Sequence, residues 1–210
     1  MENRKGSTML TKQIAAAALI MALPAFASAK ESAVTVYGGF RDGGSFTDAG
    51  TGQKLSLDSS AAGSLAVDIG LDTSRQLQFF VSYQPTDLKL RGTSSAAGDT
   101  LGMSVTYLHV GGTSFFSGPA GKGPYVVGGL GATVFDPDGT YDTEVRASLN
   151  LGLGYQVPLG EKFAVRFEAR GYATLVNSSG GLFCSGGCII SIEGDVVTQG
   201  EAMLGLSARF

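Results

Sequence analysis

The sequence predicts an all-β fold, an eight-stranded antiparallel up-and-down β-barrel, and two observations support this prediction. Apolar and polar residues alternate with a period of two in one segment after another, which is typical of strands whose two faces meet different surroundings. The connections between these segments alternate long, short, medium, short, medium, short, long along the chain. A barrel with short turns at one end and longer loops at the other produces this order.

The clearest pattern lies between Val145 and Leu175, on both sides of the turn-forming residues 158–161. Residues 145–157 carry valine, alanine, leucine or tyrosine at every odd position and arginine, serine, asparagine, glycine or glutamine at every even one. A helix would scatter the odd positions around its circumference. Residues 163–173 repeat the alternation. The two segments are therefore predicted to form a β-hairpin.

The other strands follow from the same alternation. Before the hairpin, strands are expected at 34–41, 64–71, 77–84, 101–116 and 125–135, and after it a last strand at 199–210. The third is expected to end near Pro85, because proline cannot donate to a ladder. His109 sets the phase of the fourth strand, since an imidazole that faces hydrocarbon would cost free energy. His109 is therefore expected to face the barrel interior. The faces of the fifth strand stay open.

The chain opens with a predicted secretory signal peptide, residues 1–29. Arg4, Lys5 and Lys12 precede an apolar run, residues 14–23, and Ala27-Ser28-Ala29 supplies a small-x-small cleavage site. The run is too short for a membrane helix, which needs about 20 residues. A short buried helix is the alternative, and the flanking residues argue against it. Cleavage would leave residues 30–210 as one domain, starting at Lys30.

The predicted mature domain is mildly acidic and poor in charge. Removing three of the 15 basic residues and one of the 18 acidic residues with the leader leaves a net charge of −5. This balance argues against a nucleic-acid partner. Charged residues make up 16% of the chain, against about 25% in soluble domains. That deficit favours a protein whose outer surface is not in water. In a membrane such a protein must be a closed barrel, because lipid cannot satisfy the hydrogen bonds of an open strand edge.

The last strand carries a family resemblance. One face holds Ala202, Leu204, Leu206, Ala208 and the terminal aromatic Phe210. With the leader and the eight strands, the domain resembles the small outer-membrane β-barrel proteins of the OmpA/OmpX type along its whole length. The resemblance implies a transmembrane barrel in the Gram-negative outer membrane, with both termini periplasmic. It also implies that Phe210 is the assembly signal read by the barrel-assembly machinery, and that outer-membrane lipids and lipopolysaccharide surround the protein.

In that orientation, aromatic side chains are expected at both membrane borders. Near the periplasmic turns these are Tyr155, Phe163, Phe210 and Tyr125. At the opposite rim they are Phe40, Tyr83 and Phe135.

Eight ionisable residues are expected to face the barrel interior: Arg41, Asp68, Arg146, Arg166, Glu168, Arg170, Glu201 and Arg209. They predict either a polar pore or binding site, or an ion-pair network that plugs the barrel. An eight-stranded barrel is just wide enough for its own side chains to fill, which favours the plug. Pairing from the periplasmic rim would set Arg170 level with Glu201, so an ion pair is expected there. Glycines 152 and 154 are expected to leave room for the arginines.

Two further features bear on chemistry. Cys184 and Cys188 lie in the longest loop, and in an exported protein they are expected to form a local disulfide. Such a small ring contributes only about 2 kcal/mol, so it would shape the loop more than hold the barrel. No metal or cofactor is expected, because a zinc site would need two further ligands and the chain has one histidine. The carboxylates of loop 136–144 miss the EF-hand spacing and predict a turn.

His109 is the only histidine, and no serine lies near it on the same face of its strand. This argues against imidazole-dependent catalysis. The interpretation that follows is a non-enzymatic outer-membrane protein with a plugged interior. It would act through its extracellular loops, chiefly 177–197 and 42–61, in surface interaction or envelope integrity. A channel for small solutes or hydrophobic compounds is one alternative, and a lipid-modifying barrel enzyme is the other. The sequence does not indicate the ligand of the loops.

Overall fold

A computed structural model describes residues 32–47, 54–90, 100–139, 141–175, 181–184, 188–191 and 196–210. The predicted leader and its cleavage site lie outside these ranges. The strands, in chain order, are β1 (Ala33–Arg41), β2 (Ser45–Thr47), β3 (Lys54–Leu57), β4 (Ser60–Gly70), β5 (Arg75–Leu90), β6 (Thr100–Phe115), β7 (Gly123–Pro137), β8 (Glu144–Leu159), β9 (Phe163–Leu175), β10 (Gly181–Cys184), β11 (Cys188–Ser191) and β12 (Val196–Arg209). Within the described ranges no helix has the length and apolar character needed to cross a membrane.

Eight of the strands form a closed antiparallel barrel, which confirms the predicted fold. Around the ring their order is β1, β4, β5, β6, β7, β8, β9 and β12, and β12 pairs with β1 to close it. The predicted long loops also contain regular structure. Strands β2 and β3 form a hairpin beside β5, and β10 pairs with β11 in a separate two-stranded sheet.

The two ends of the barrel differ. The turns 71–74, 116–122 and 160–162 lie at one end, which we call the turn end, with Ser32 and Phe210 beside them. The Phe210 amide donates to the Ser32 carbonyl at 3.0 Å, so the two ends of the described chain meet there. The longer connections lie at the other end, the loop end.

Strand β5 continues through Pro85 to Leu90, so the prediction that it ends at this proline is wrong. The Pro85 carbonyl accepts a hydrogen bond from the Ser60 hydroxyl at 2.5 Å. The N and C=O of a strand residue point to the same side, so the Pro85 nitrogen also faces β4. There the β4–β5 ladder has already ended at the pair Gly63 and Tyr83. The missing N–H therefore costs no ladder hydrogen bond.

The wall has an apolar outside and a largely polar inside. His109 is buried, which confirms the phase chosen for β6. Tyr155, Phe163 and Phe210 are about half exposed near the turn end, and so are Phe40 and Tyr83 near the loop end.

The outward placement of Tyr125 and Phe135 is wrong. Both side chains are buried inside the barrel, at 0% and 4% exposure. Phe135 packs with Met103, Val105 and neighbouring apolar residues. The Tyr125 hydroxyl donates to Glu168, a partner that the outer wall would not offer.

Two inward tyrosines lie directly opposite glycines on neighbouring strands. Tyr125 pairs with Gly154 across β7 and β8, and Tyr37 pairs with Gly205 across β1 and β12. A Cβ at either glycine would overlap the facing ring. Gly154 therefore makes room for Tyr125, and the prediction that it leaves room for an arginine is wrong. Gly152 lies against Val127 and the β9 backbone.

We expect Gly154→Ala to lower the free energy of unfolding by about 1–3 kcal/mol, because the new methyl group would displace the Tyr125 ring in a packed interior. Urea unfolding followed by circular dichroism measures the change. Gly38→Ala is the matched control, since a Cβ there meets no atom within 4 Å. Equal stability of the two variants would contradict the packing described.

Candidate functional site in the barrel interior

The structure places six of the eight predicted interior charges inside the barrel, where each is nearly or fully buried: Arg41, Asp68, Arg166, Glu168, Arg170 and Glu201. The other two lie at the ends. Arg146 pairs with Glu144 at 2.5 Å near the loop end, and both side chains are partly exposed. Arg209 donates to the Gly160 carbonyl at 3.4 Å at the turn end.

The layer nearest the turn end is built around Arg166. Its guanidinium pairs with Asp68 at 2.7 Å and donates to the Gln156 side chain at 2.7 Å. Weaker contacts reach the Tyr37 hydroxyl at 3.3 Å and Gln76 at 3.4 Å. A guanidinium has five N–H donors, and this layer supplies acceptors on several sides of it.

The middle layer is built around Glu168. One of its carboxylate oxygens accepts from the Tyr125 hydroxyl at 2.7 Å and from the Tyr37 hydroxyl at 3.2 Å. Its other oxygen accepts from Arg170, whose guanidinium also donates to Gln78 at 3.0 Å. Gln78 in turn donates to Asp68 at 2.9 Å, so the middle layer is connected to the one below.

The layer nearest the loop end is built around Arg41 and Glu201, which pair at 2.9 Å. The Tyr172 hydroxyl donates to Glu201 at 2.6 Å. The Tyr107 and Tyr172 rings stack with their centroids 4.1 Å apart, and the Arg41 guanidinium lies 4.8 and 4.9 Å from those centroids. Arg41 also donates to Ser82 on β5, two strands away in the ring. These contacts join side chains of β1, β5, β6, β9 and β12 at this level of the barrel.

The predicted ion pair between Arg170 and Glu201 is wrong, although the predicted register is right. The two residues are direct cross-strand partners. Glu201 has a second cross-strand partner, Arg41 on β1, and it pairs with that one. Arg170 turns instead to Glu168 on its own strand and lies 3.7 Å from the centroid of the Phe80 ring.

The turn end is closed by the β6–β7 turn itself. Ala120 and Gly121 are buried, and the Ala120 amide donates to the Thr73 carbonyl at 2.7 Å. A Cβ on Gly121 would lie 3.1 Å from the Arg209 guanidinium, which belongs to β12, the strand opposite β6 in the ring. Beside this turn Phe115, Tyr125 and Val127 form an apolar cluster with Ala120. The turn therefore folds over the opening rather than away from it.

His109 has a serine partner that the sequence did not reveal. Its Nε2 lies 3.0 Å from the Ser148 hydroxyl, two strands away on β8. Gly131 is paired with both residues and has no side chain to separate them. The sequence would have placed His109 beside Ser148 only if the registers of β7 with β6 and with β8 had been predicted as well. No described residue bonds His109 Nδ1, and both side chains are buried. Among the described residues, the pair therefore has no orienting third group of the kind found in catalytic triads.

Other predicted site residues lie outside the interior. Phe210 is exposed on the outer wall at the turn end, and its role in assembly stays a prediction. The β10–β11 register sets the backbone of Cys184 opposite that of Cys188, and the disulfide also stays a prediction. Among the described residues, no group of three or more His, Cys, Asp and Glu side chains is arranged to hold a metal ion.

The family model described as the outer membrane protein beta-barrel domain matches residues 14–210. The neisserial surface protein A, NspA, has a similar fold, with a TM-score of 0.51 and 12% identity over 85% of this chain and 97% of that one. The N-terminal barrel of Pseudomonas aeruginosa OprF has a TM-score of 0.44 and 16% identity over 87% of this chain and 100% of that one. Yersinia pestis Ail has a TM-score of 0.44 and 17% identity over 86% of this chain and 99% of that one. No curated protein sequence matches.

We expect Glu201→Gln to destabilise the barrel by about 3–5 kcal/mol, because the change leaves the buried Arg41 guanidinium without its counter-charge. In double-mutant cycles read by thermal or urea unfolding, Arg41→Met should recover much of that loss, whereas Arg170→Met should not. Glu144→Gln, at the partly exposed pair with Arg146, is the control and should cost less than about 1 kcal/mol. Stronger coupling of Glu201 to Arg170 than to Arg41 would contradict the pairing.

Proposed function

This chain belongs to the outer membrane protein beta-barrel domain family, and from that premise we propose that it is a non-enzymatic, non-conducting barrel that acts through its loop end. Its location is the outer membrane. Its role would be surface interaction or envelope integrity, with the barrel serving as a rigid anchor for the loops.

The observation that carries the proposal is the set of three ion pairs in the interior, Arg166–Asp68, Arg170–Glu168 and Arg41–Glu201. All six side chains have 0% exposure. They balance three positive charges against three negative ones and are joined by tyrosine and glutamine hydrogen bonds. An open aqueous pore would leave such groups hydrated, and breaking a buried pair costs several kcal/mol. The interior therefore supports a plug and argues against the channel alternative.

The enzyme alternative has less support from the site geometry. A lipid-modifying barrel would need its nucleophile and base where an acyl chain or a headgroup can reach them. His109 and Ser148 instead lie inside the wall, at 3% and 5% exposure. Burial within a filled interior leaves no place for a reacting lipid within hydrogen-bond reach.

The proposed orientation puts both termini in the periplasm and the loop end outside the cell. It is supported by the position of Ser32 and Phe210 beside the short turns, since such barrels have short periplasmic turns and longer extracellular loops. Lipids would contact the exposed apolar belt, which includes Val36, Leu108, Val110, Leu130, Leu149, Leu151, Leu153, Phe167, Leu204 and Leu206. Lipopolysaccharide at the loop end and the barrel-assembly machinery at Phe210 complete the proposed partners.

The loops proposed to act contain the two hairpins of the described chain that lie outside the ring of eight. β2 and β3 belong to the first loop, and β10 and β11 to the last. Backbone pairing limits the freedom of a loop, so less entropy is lost when it binds a surface. This supports a recognition role for the loops.

We expect negligible conductance for the purified protein in planar bilayers, because three buried ion pairs and their hydrogen-bond partners occupy the interior. The positive control is a variant that lacks two of the pairs, through Arg41→Ala with Glu201→Ala and Glu168→Ala with Arg170→Ala. Where this variant folds, it should conduct, which would show that the assay detects an open barrel. Steady ohmic currents from the unaltered protein would refute the plug and favour the channel.

Replacing residues 178–194 by a short Gly-Ser linker should leave the barrel assembled but reduce its function in cells. Heat-modifiable mobility on gels reports assembly, while cell–cell aggregation and survival in detergent report surface interaction and envelope integrity. A matched replacement of the tight turn 160–162 is the control for nonspecific damage. Unchanged aggregation and survival, when residues 43–58 are replaced as well, would count against action through the loops.

A further inference from the structure

We infer that the outer wall along β6 is a binding groove for a cationic amphiphile, a molecule with an apolar chain and an ammonium or guanidinium head. A cavity of about 460 Å³ lies there, on the side of the wall that faces away from the plug, near the loop end. A second cavity of about 340 Å³ continues from it toward the loops, and both are lined by Pro85 and Asp138.

Three cross-strand rows build the groove. The lowest row is Tyr83, Thr106 and Val134, and the next is Pro85, Ser104 and Asp136. In the top row Gly102 lies opposite Asp87, and its carbonyl accepts from the Asp138 amide at 2.8 Å.

The middle position of each row, on β6, is smaller than its neighbours on β5 and β7. The floor thus changes from threonine to serine to glycine toward the loop end, and the walls rise on both sides of it. This size difference explains why the surface is concave along β6.

The walls also change in polarity along the groove. Tyr83 and Val134 line the end nearest the membrane belt, whereas Asp136, Asp138 and Asp87 line the end nearest the loops. One row further down, Val81, Leu108 and Ala132 are all apolar, so the lower end of the groove meets the apolar belt. A chain lying along the wall would therefore remain in hydrocarbon while its head reached the carboxylates.

The top of the groove gathers negative charge. A Cβ on Gly102 would overlap the Asp138 carboxylate and lie 3.7 Å from an Asp87 carboxylate oxygen, so both acids lean over the same backbone position. Thr143 donates to the Asp136 carboxylate at 2.6 Å and fixes a third acid beside them. None of the ion pairs between described residues includes Asp87 or Asp138. Carboxylates brought together in this way repel each other and attract a cation.

Charge complementarity therefore selects a cationic head, and the apolar lower half selects an attached chain. A free inorganic cation would satisfy the acids but leave the lower groove unused. An anionic lipid headgroup would be repelled. The site lies on the outer wall, so it is independent of the plugged interior and of the loop function proposed above.

The test uses the full protein in phosphatidylcholine nanodiscs, with backbone amide NMR signals of Gly102, Ser104 and Thr106 as the readout. Dodecyltrimethylammonium is the probe, and dodecyl phosphate and dodecyl maltoside are matched probes of the same chain length. We expect saturable shifts at these amides with the ammonium probe alone. Asp87→Asn with Asp138→Asn should weaken binding about fivefold, which corresponds to about 1 kcal/mol for the two exposed charge contacts together.

Two further variants separate the parts of the groove. Ser104→Leu fills the floor on the lipid-facing side while keeping all three acids, and it should also weaken binding. Asp72→Asn, in a turn at the opposite end of the barrel, should leave it unchanged. Equal shifts with all three probes would show partitioning into the bilayer only and would overturn the inference. The same shifts with MgCl₂ alone, unaltered by the amphiphile, would assign an inorganic cation site instead, and no shift with any probe would mean that the protein's own side chains fill the groove.

Discussion

The constraint on which this structure depends is charge balance inside a narrow barrel. A barrel of eight strands encloses a column only as wide as its own side chains, so each inward arginine must find its counter-charge from another inward position. Glu168 shows how far this goes: it accepts from Arg170 and from two tyrosines that reach it from different strands. Each of those tyrosines requires a glycine opposite its ring, so the charge balance also determines residues on the neighbouring strands.

That constraint separates the molecule into parts with different tasks. The interior is occupied by contacts between inward side chains, and the turn 116–122 packs across the turn end. The surfaces that we propose for binding lie outside the interior. These are the loop end, where two hairpins extend beyond the ring, and the outer wall along β6, where small residues on one strand lie between larger ones on its neighbours.

The His109–Ser148 contact shows why a short distance alone does not make an active site. The two side chains are within hydrogen-bond distance, as a base and a nucleophile would be. Their surroundings differ from those of a catalytic triad, because the described residues offer Nδ1 no orienting acceptor and both side chains are buried. In this setting the contact satisfies a buried hydroxyl and one imidazole nitrogen, which is the ordinary requirement for polar groups in a protein interior.

The sequence by itself determined the barrel, its eight strands, the phase of β6 and the register that brings Arg170 level with Glu201. Alternation and turn spacing are local, and they are strong enough to establish these features. Only the tertiary structure decided the partners. Glu201 has an arginine on each side, and the choice of Arg41 depends on where Tyr107, Tyr172 and Phe80 leave space. Tyr125 turned inward for the same reason, because the acid and the glycine that accommodate it lie on β9 and β8 and become neighbours only when the barrel closes.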